Sequence, residues 1–443
     1  MRQPKPEELE IVKLGPCRRP SPLQSRGEPF VPDDRRVLAT ADPQLLSTYS
    51  DSGMAAPAFE VAGPRERIFF DPEKTTCGIV TCGGICPGLN DVIRALVMSL
   101  VYSYGVRRIL GFCYGYAGLS LDSRCAPLEL TPDVVEPIHA HGGTILGSSR
   151  GPQDVGGMLE TLQRHGVGIL FTIGGDGTLR GAAALGREAQ RRRLPLAVIG
   201  IPKTIDNDLE WTQRSFGFST AVEMATKAID AAHTEARGAW NGVGLVKLMG
   251  RHSGFIAAHA CLAHPDANFC LVPEVPFRLQ GDEGFLALLE QRLAEKQHAV
   301  IVVAEGAAQE LLQDPEHAER DASGNVRLQD VGIFLRDEIR RHFGERNTPV
   351  DVKYIDPSYI IRSLPANAID AEYCLVLAQS AAHAGFSGRT NMVVGFWNRH
   401  FTHIPIGLVV GERKQLDPRG ATWRAVLRST GQPESMGAGT GAG

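Results

Sequence analysis

Gly168-Ile-Leu-Phe-Thr-Ile173, followed at once by Gly174-Gly-Asp-Gly-Thr178, is the stretch on which the reading of this chain turns. An unbroken apolar run is what a parallel strand covered on both faces requires. The glycines after it leave backbone N–H groups open to close approach by a polyphosphate. Asp176 is the one anion in the turn, a residue type suited to an Mg²⁺ that bridges phosphate oxygens. Thr178 starts a helix whose positive end faces the same space. The pattern is neither Walker A nor GxGxxG.

Working outward, similar apolar runs recur at Cys77–Cys82, Arg108–Phe112, Leu196–Ile201, Val243–Leu248, Phe269–Val272 and Ala299–Val303. Helical stretches separate them. The clearest covers Ser219–Ala236, with Ser219 or Thr220 as its cap and Ala221, Val222, Ala225, Ala228, Ile229 and Ala232 at helical spacing. The order predicts an α/β fold of two doubly wound lobes with mostly parallel sheets, the active site in the cleft between them. Ligands in such folds sit at the carboxyl ends of strands, so the turns there carry the chemistry. The expected divisions are a proline-rich arm over 1–60, a donor-binding lobe over 61–218 and a sugar-phosphate-binding lobe over 219–362. A returning segment over 363–430 and a flexible tail over 431–443 complete the chain.

Three further turns stand out. Gly83-Gly-Ile-Cys-Pro-Gly-Leu-Asn90 joins a strand to a helix; its glycines serve phosphate binding or merely helix packing. His141–Gly151 (HGGTILGSSRG) ends on Arg150, which is either a surface salt-bridge partner or a bidentate phosphate clamp. Pro202-Lys-Thr-Ile-Asp-Asn-Asp208 places two carboxylates and a lysine at a strand end, costly groups there unless solvated or used. Asp206 is placed to take a proton from an attacking hydroxyl, and Asp208 to support a metal or orient the base. A plain polar turn is the alternative.

Composition narrows the class. Of 443 residues, 43% are hydrophobic and 22% charged, ordinary for a soluble globular chain with material for two cores. A net charge of −4 argues against a nucleic-acid binder. The basic run Arg191–Arg193 reads as the solvated end of a helix, favoured by its dipole. No apolar run is long enough for a membrane span, and the polar, proline-rich N-terminus is not a secretory signal. Nine scattered cysteines fit reduced thiols in a cytosolic enzyme. Cys82 and Cys86 flank the first glycine turn without further ligands at metal spacing. His400 and His403 read as ordinary strand or loop histidines.

Taken together and in this order, the turns resemble the phosphofructokinase family from about Phe59 to Gly411. PKTIDND at Pro202–Asp208, Met249-Gly250-Arg251 and GGDGT are the specific elements. The plant-like and trypanosome-like branch is the most similar: it shares AGPRE (Ala62–Glu66), KLMGR (Lys247–Arg251) and a YIDPSY segment (Tyr354–Tyr359). The resemblance implies transfer of the γ-phosphoryl of MgATP to the 1-hydroxyl of fructose 6-phosphate, by a cytoplasmic homodimer or homotetramer. Gly84, Arg150, Gly151, Gly175, Asp176, Gly177 and Thr178 would hold the donor, with Asp176 on Mg²⁺. Asp206 would be the catalytic base. Thr204, Ile205, Met249, Gly250, Arg251, Glu305, Tyr359, Ile360, Ile361 and Arg362 would bind the sugar phosphate.

Departures from the family's short bacterial members matter. These carry an arginine at the position of Gly242, which reaches the neighbouring subunit's substrate, an arginine at Lys353 and a histidine at Tyr359. The 6-phosphate pocket is therefore expected to be built differently, and the cross-subunit contact is in question. Glu274 matches a glutamate of their allosteric nucleotide site, a role not carried over because the surrounding basic set is missing. Pyrophosphate users resemble GGDD, whose second aspartate would obstruct ATP's α-phosphate; Gly177 favours ATP. Lys203 points the other way, although plant-like ATP users combine this glycine with this lysine. The rival readings are a pyrophosphate-dependent member, a GGDGT kinase acting on NAD or a lipid, and a non-catalytic homologue. The second lacks PKTIDND, and the third would be expected to lose Asp206 or Asp176.

Overall fold

The chain divides into two units: Met1–Ile205, Leu209–Gly217 and Ser363–Glu412 form the first, and Asp206–Asp208, Phe218–Arg362 and Arg413–Gly443 the second. The computed structural model describes residues 4–312 and 326–437. The returning segment 363–430 thus splits between the units after Glu412.

The first unit is built on a nine-stranded sheet. Its centre is parallel, in the order Met392–Trp397, Ala197–Pro202, Val167–Gly174, Thr76–Thr81, Arg108–Phe112. These are the expected apolar runs, with Met392–Trp397 added. Ile169, Phe171 and Ile173 face one layer, with helices Leu89–Met98 and Ala368–Phe386. Leu170 faces the other, with Leu159 of helix Val155–Arg164 and Leu179 of helix Asp176–Arg191. Burial on both sides is why these strands are continuous in apolar character and do not alternate. At the end of the second helix, Arg191 and Arg192 pair with Glu188 as solvated groups.

The remaining strands of this sheet, also unannounced by the sequence patterns, are antiparallel and lie towards its edges: Leu128–Glu129 on one side, and His400–Pro405, Ala58–Val61 and Arg36–Leu38 on the other. The proline-rich arm supplies one of them and also pairs Val12–Lys13 with Arg389–Thr390 and Arg19–Pro20 with Arg67–Ile68. Leu9 and Leu23 of the arm are buried.

The second unit carries a four-stranded parallel sheet in the order Phe269–Leu271, His298–Ala304, Gly242–Leu248, Asp351–Ile355. Helix Phe218–Arg237 starts one residue before Ser219, so neither Ser219 nor Thr220 is its cap. It lies hard against the sheet: a Cβ on Gly242 would strike the carbonyl of Ala236, and one on Gly244 that of Ala232. A side chain at Gly242, such as the arginine considered above, has no room here. From Gly431 the tail is held rather than loose as far as Gly437. Gln432 accepts from Cys270 N at 2.6 Å and donates to Cys270 O at 3.2 Å, and Met436 is buried. Residues 438–443 lie outside the described residues.

A buried ionic cluster ties the edge of the large sheet. Glu60 accepts from Arg65 at 3.1 Å, from His403 Nδ1 at 2.8 Å and from Arg389, while Asp33 receives Arg389 and Arg65. His403, expected to be an ordinary histidine, is fully buried here. Burial pushes its pKa down to about 4, against the pull of Glu60. Burial alone would raise Glu60, but hydrogen bonds from His403 and Arg389 and their charges hold its carboxyl well below the usual range. Both groups bind protons more weakly in the folded than in the unfolded chain. Their stabilisation is therefore present at neutral pH and is lost as pH falls. For His403 the window runs from its ordinary 6.5 down to about 4. His403→Gln is expected to flatten the dependence of stability on pH in that window, measured by urea unfolding at a series of pH values. An unchanged slope would mean the imidazole is not buried in its neutral form.

Candidate active site

In each parallel sheet the chain leaves two adjacent strands in opposite directions, and a crevice opens at their carboxyl ends. In the first unit those strands are Thr76–Thr81 and Val167–Gly174, which lead to strands on opposite sides. Their turns are the two glycine-rich ones, and backbone bonds join them to their neighbours. Cys82 N donates to Ile173 O at 2.9 Å, Lys203 N to Gly174 O at 3.0 Å, and Gly83 N to Ser149 O at 3.1 Å. Ser148 Oγ donates to Gly83 O at 2.5 Å. Buried Asn90 spans to the third turn, donating to His141 O at 2.9 Å and accepting from Ile145 N at 3.0 Å.

This stitching brings Gly84 beside Arg150, and Gly83 and Gly175 beside Lys203. A Cβ on Gly84 would stand 3.6 Å from Arg150 Nη2, and one on Gly83 3.5 Å from Lys203 Nζ. Gly83 and Gly151 both have positive φ. A Cβ on Gly175 would press on Lys203 O at 3.3 Å, so that position must be small, whereas one on Gly177 would meet nothing within 4 Å. Gly177 thus borders open space at the start of helix Asp176–Arg191. Thr178 is buried, with Tyr116 Oη donating to its carbonyl at 2.7 Å. Asp176, on the same first turn, is engaged by Arg180.

Among the described residues no group of three or more His, Cys, Asp or Glu could hold a metal ion. A single carboxylate beside open space and glycine backbone still fits Mg²⁺, which keeps its waters and is bound by one or two carboxylates plus substrate phosphates. Burial pushes the nearby Cys82 thiol up to about 12, partly offset by a hydrogen bond with the Tyr116 backbone and by the charge of Lys203.

In the second unit the diverging neighbours are Gly242–Leu248 and His298–Ala304. Met249–Arg251 follows the first and Glu305 the second. Glu305 N donates to Leu248 O at 2.8 Å and Gly306 N to Gly250 O at 3.1 Å. Gly250 has φ +130°, a conformation that other residues adopt only with strain. Arg251 Nη1 donates to Val326 O at 2.9 Å. Burial pushes the Glu305 carboxyl up, against the opposing pull of the charges of Arg251, Lys247 and Arg362.

Helix Ser358–Arg362 carries the remaining predicted residues. Tyr359 and Ile360 are exposed, and the Arg362 guanidinium lies 4.9 Å from the Tyr359 ring centre. Ile361 is fully buried, so its side chain anchors the helix and faces no solvent-borne ligand. Asp206 also belongs to this unit, with Ser253 Oγ 3.5 Å from its carbonyl; Thr204 and Ile205 belong to the first. Asp208 is buried and pairs with Arg413. Lys353 pairs with Asp351 at 3.1 Å. Glu274 accepts from Gly254 N and Leu416 N, and so holds the start of helix Phe255–Ala263.

Two features escaped sequence reasoning. Arg413 neutralises Asp208 from more than two hundred residues away, which no local pattern signals. Lys247 pairs with Asp330 and Asp356 beneath the Tyr359–Arg362 helix. Its only signal was a charge inside an otherwise apolar strand.

A sequence profile described as Phosphofructokinase matches residues 76–384. A protein of Amycolatopsis methanolica named ATP-dependent 6-phosphofructokinase is 50% identical, the match covering 98% of this chain and 96% of that one. One of the same name from Trypanosoma cruzi is 49% identical over 84% of this chain and 76% of its own. Among solved structures, a pyrophosphate-dependent phosphofructokinase from Marinobacter aquaeolei superposes with a TM-score of 0.66 at 20% identity, covering 82% of this chain and 93% of that one. At that identity the likeness concerns the fold.

The open space at Gly177 yields a clean substitution. Gly177→Ala is expected to fold normally and to gain up to about 1 kcal/mol in unfolding free energy from helix propensity. The KM for the phosphoryl donor should rise, because the methyl group enters the donor's space. Unaltered donor kinetics together with normal unfolding would remove Gly177 from the donor site.

Proposed function

The chain belongs to the phosphofructokinase family, and on that premise we propose how its own residues carry out the reaction of an ATP-dependent 6-phosphofructokinase. The observation that carries the proposal is that two of the family's specific motif sets each stand at the diverging strand pair of their own sheet, while PKTIDND follows the strand beside the first pair. GGDGT and Arg150 stand at one; Met249–Arg251 and Glu305 stand at the other.

The backbone at Gly84, Gly151 and Gly175–Thr178 cradles the donor phosphates, with the N-terminus of helix Asp176–Arg191 supplying positive potential. Arg150 stabilises charge on the γ-phosphoryl as it moves. Asp176 would hold Mg²⁺, which would supply charge neutralisation to the donor phosphates. Arg251 and Arg362 anchor the phosphate of fructose 6-phosphate, while Thr204, Ile205, Met249, Gly250, Glu305, Tyr359 and Ile360 shape the space for the sugar, with Ile361 holding their helix from the core side. Asp206 accepts the proton of the 1-hydroxyl as that oxygen bonds to the γ-phosphorus. The bond from that phosphorus to the β,γ-bridging oxygen breaks, giving fructose 1,6-bisphosphate and ADP. The protein's part in such a transfer is mainly positioning and charge stabilisation.

ATP is the donor on this reading because the space at Gly177 is open. Lys203 is the feature that favours pyrophosphate, since the family's pyrophosphate users resemble this chain in carrying a lysine there. A homodimer or homotetramer in the cytoplasm accompanies the proposal. Among the described residues no helix is long and apolar enough to cross a membrane.

Two measurements test this function. Purified protein is expected to turn over fructose 6-phosphate with MgATP and only negligibly with Mg-pyrophosphate; activity confined to pyrophosphate would overturn the donor assignment. Asp206→Asn is expected to lower kcat by about 10²–10⁴-fold, the usual contribution of a general base, with near-normal unfolding. Wild-type turnover in that variant would end its role as base.

A further inference from the structure

We propose that Lys247 is a positioning residue for sugar-phosphate binding, a clamp that fixes the start of the Ser358–Arg362 helix to the strand end carrying Met249–Arg251. The proposal rests on the functional reading above for what that helix binds.

The strand Gly242–Leu248 is otherwise apolar and buried, and an unpaired ammonium in it would cost several kcal/mol. Lys247 is 12% exposed and doubly paired. Its Nζ lies 2.7 Å from Asp330 Oδ2 and 2.8 Å from Asp356 Oδ2, and 6.0 Å from the Tyr354 ring centre. Each carboxylate also starts a helix. Asp330 Oδ1 accepts from Gly332 N and Ile333 N at 3.0 Å, and from Tyr354 Oη at 3.0 Å. Asp356 Oδ1 accepts from Ser358 N at 3.0 Å and from Ser358 Oγ at 2.6 Å. The ammonium therefore bonds to the two carboxylates that cap two helices.

Stability alone does not account for such an arrangement. A buried ion pair is often no better than a well-packed apolar side chain of the same volume. Geometry accounts for it. A helix of five residues is far too short to hold its own shape in water. Ile361 sets its depth, but one apolar anchor leaves rotation about it free. The cap at Asp356 removes that freedom only if Asp356 is itself fixed, and Lys247 fixes it. Lys247 stands two residues before Met249 on the same strand. The clamp therefore sets the spacing between Arg362 and Arg251, the two guanidiniums assigned to the sugar phosphate.

The test uses the full chain with Lys247→Met, Lys247→Arg, and Asp356→Asn, which keeps the cap acceptor and loses the charge. Ile339→Val serves as a mildly destabilised control within the same unit. Lys247→Met is expected to raise the KM for fructose 6-phosphate by about tenfold or more while leaving the KM for MgATP within about twofold, the signature of a misplaced binding group. Lys247→Arg should recover most of that loss, and Asp356→Asn should show a smaller shift in the same direction. Ile339→Val should leave both constants unchanged. Hydrogen exchange without ligand supplies a readout that does not depend on the substrate: amides of Tyr359–Arg362 should exchange about tenfold faster in Lys247→Met than in wild type. Unchanged exchange there, or faster exchange with an unchanged sugar-phosphate KM, would overturn the clamp. If Lys247→Met does not fold, the same two outcomes are read from Asp356→Asn. Failure of the wild type to phosphorylate fructose 6-phosphate would instead overturn the functional reading, and the clamp would then stand or fall on exchange alone.

Discussion

The constraint behind both candidate sites is that backbone polar groups at the carboxyl ends of parallel strands must find partners after the sheet ladder stops. Here they find them in the neighbouring turn. Cys82 N reaches Ile173 O, Lys203 N reaches Gly174 O, Glu305 N reaches Leu248 O and Gly306 N reaches Gly250 O. Each bond satisfies a group that would otherwise be stranded. Each also locks one motif to the next. Turns separated by many residues in sequence thereby acquire fixed spacing, which phosphoryl transfer needs more than it needs reactive side chains. The glycines follow from the same constraint, because turns this close leave no volume for a Cβ at Gly174 or Gly306.

How much of this was legible in the sequence follows from which interactions are local. The central strands stand close to the apolar runs that announced them, because burial on both faces leaves no room for polar side chains. Edge strands such as Ala58–Val61 and His400–Pro405 did not announce themselves. Their pairing is antiparallel and their residues mix Glu60 and His403 with apolar neighbours. Those polar residues are tolerated only because Glu60 lies against His403 and Arg389, both remote from it in sequence, and against nearby Arg65. Helix Phe218–Arg237 was visible from its small-residue spacing, but its start was not. Ser219 and Thr220 look like caps, whereas the preceding Gly217, with φ +86°, makes the turn. Among site residues, those on strand-end turns were legible because glycine, carboxylate and arginine at such positions have few other uses. Ile361 belongs to a recognisable motif, yet its side chain serves the core.

Three buried basic side chains show how the chain separates scaffold from chemistry. Arg389 is matched by Glu60 and Asp33 in a cluster at the sheet edge, far in sequence from every motif, and its charge is spent on joining the N-terminal arm to the returning segment. Lys247 is matched by Asp330 and Asp356, but the carboxylates it holds hold helices in turn, so its charge is converted into the placement of a binding segment. Lys203 lies in the donor turns, with its ammonium beside Gly83 and its carbonyl beside Gly175. A cation among glycine backbone is worth most when an anion arrives, since low local dielectric strengthens the attraction and little needs to reorganise.

Donor choice then becomes a matter of which group limits the site. A lysine in that position attracts any polyphosphate, long or short, and so discriminates weakly. Volume discriminates strongly, because a pyrophosphate ends where a nucleotide must continue. With nothing within 4 Å of a Cβ on Gly177, the first turn of helix Asp176–Arg191 leaves that continuation free. An aspartate there would add both bulk and a like charge next to the α-phosphate, a repulsion the nearby Arg180 could not cancel while it is engaged with Asp176. On the proposed reading, the glycine at 177 therefore favours ATP by what it leaves empty, and that open volume outweighs the contrary signal of Lys203.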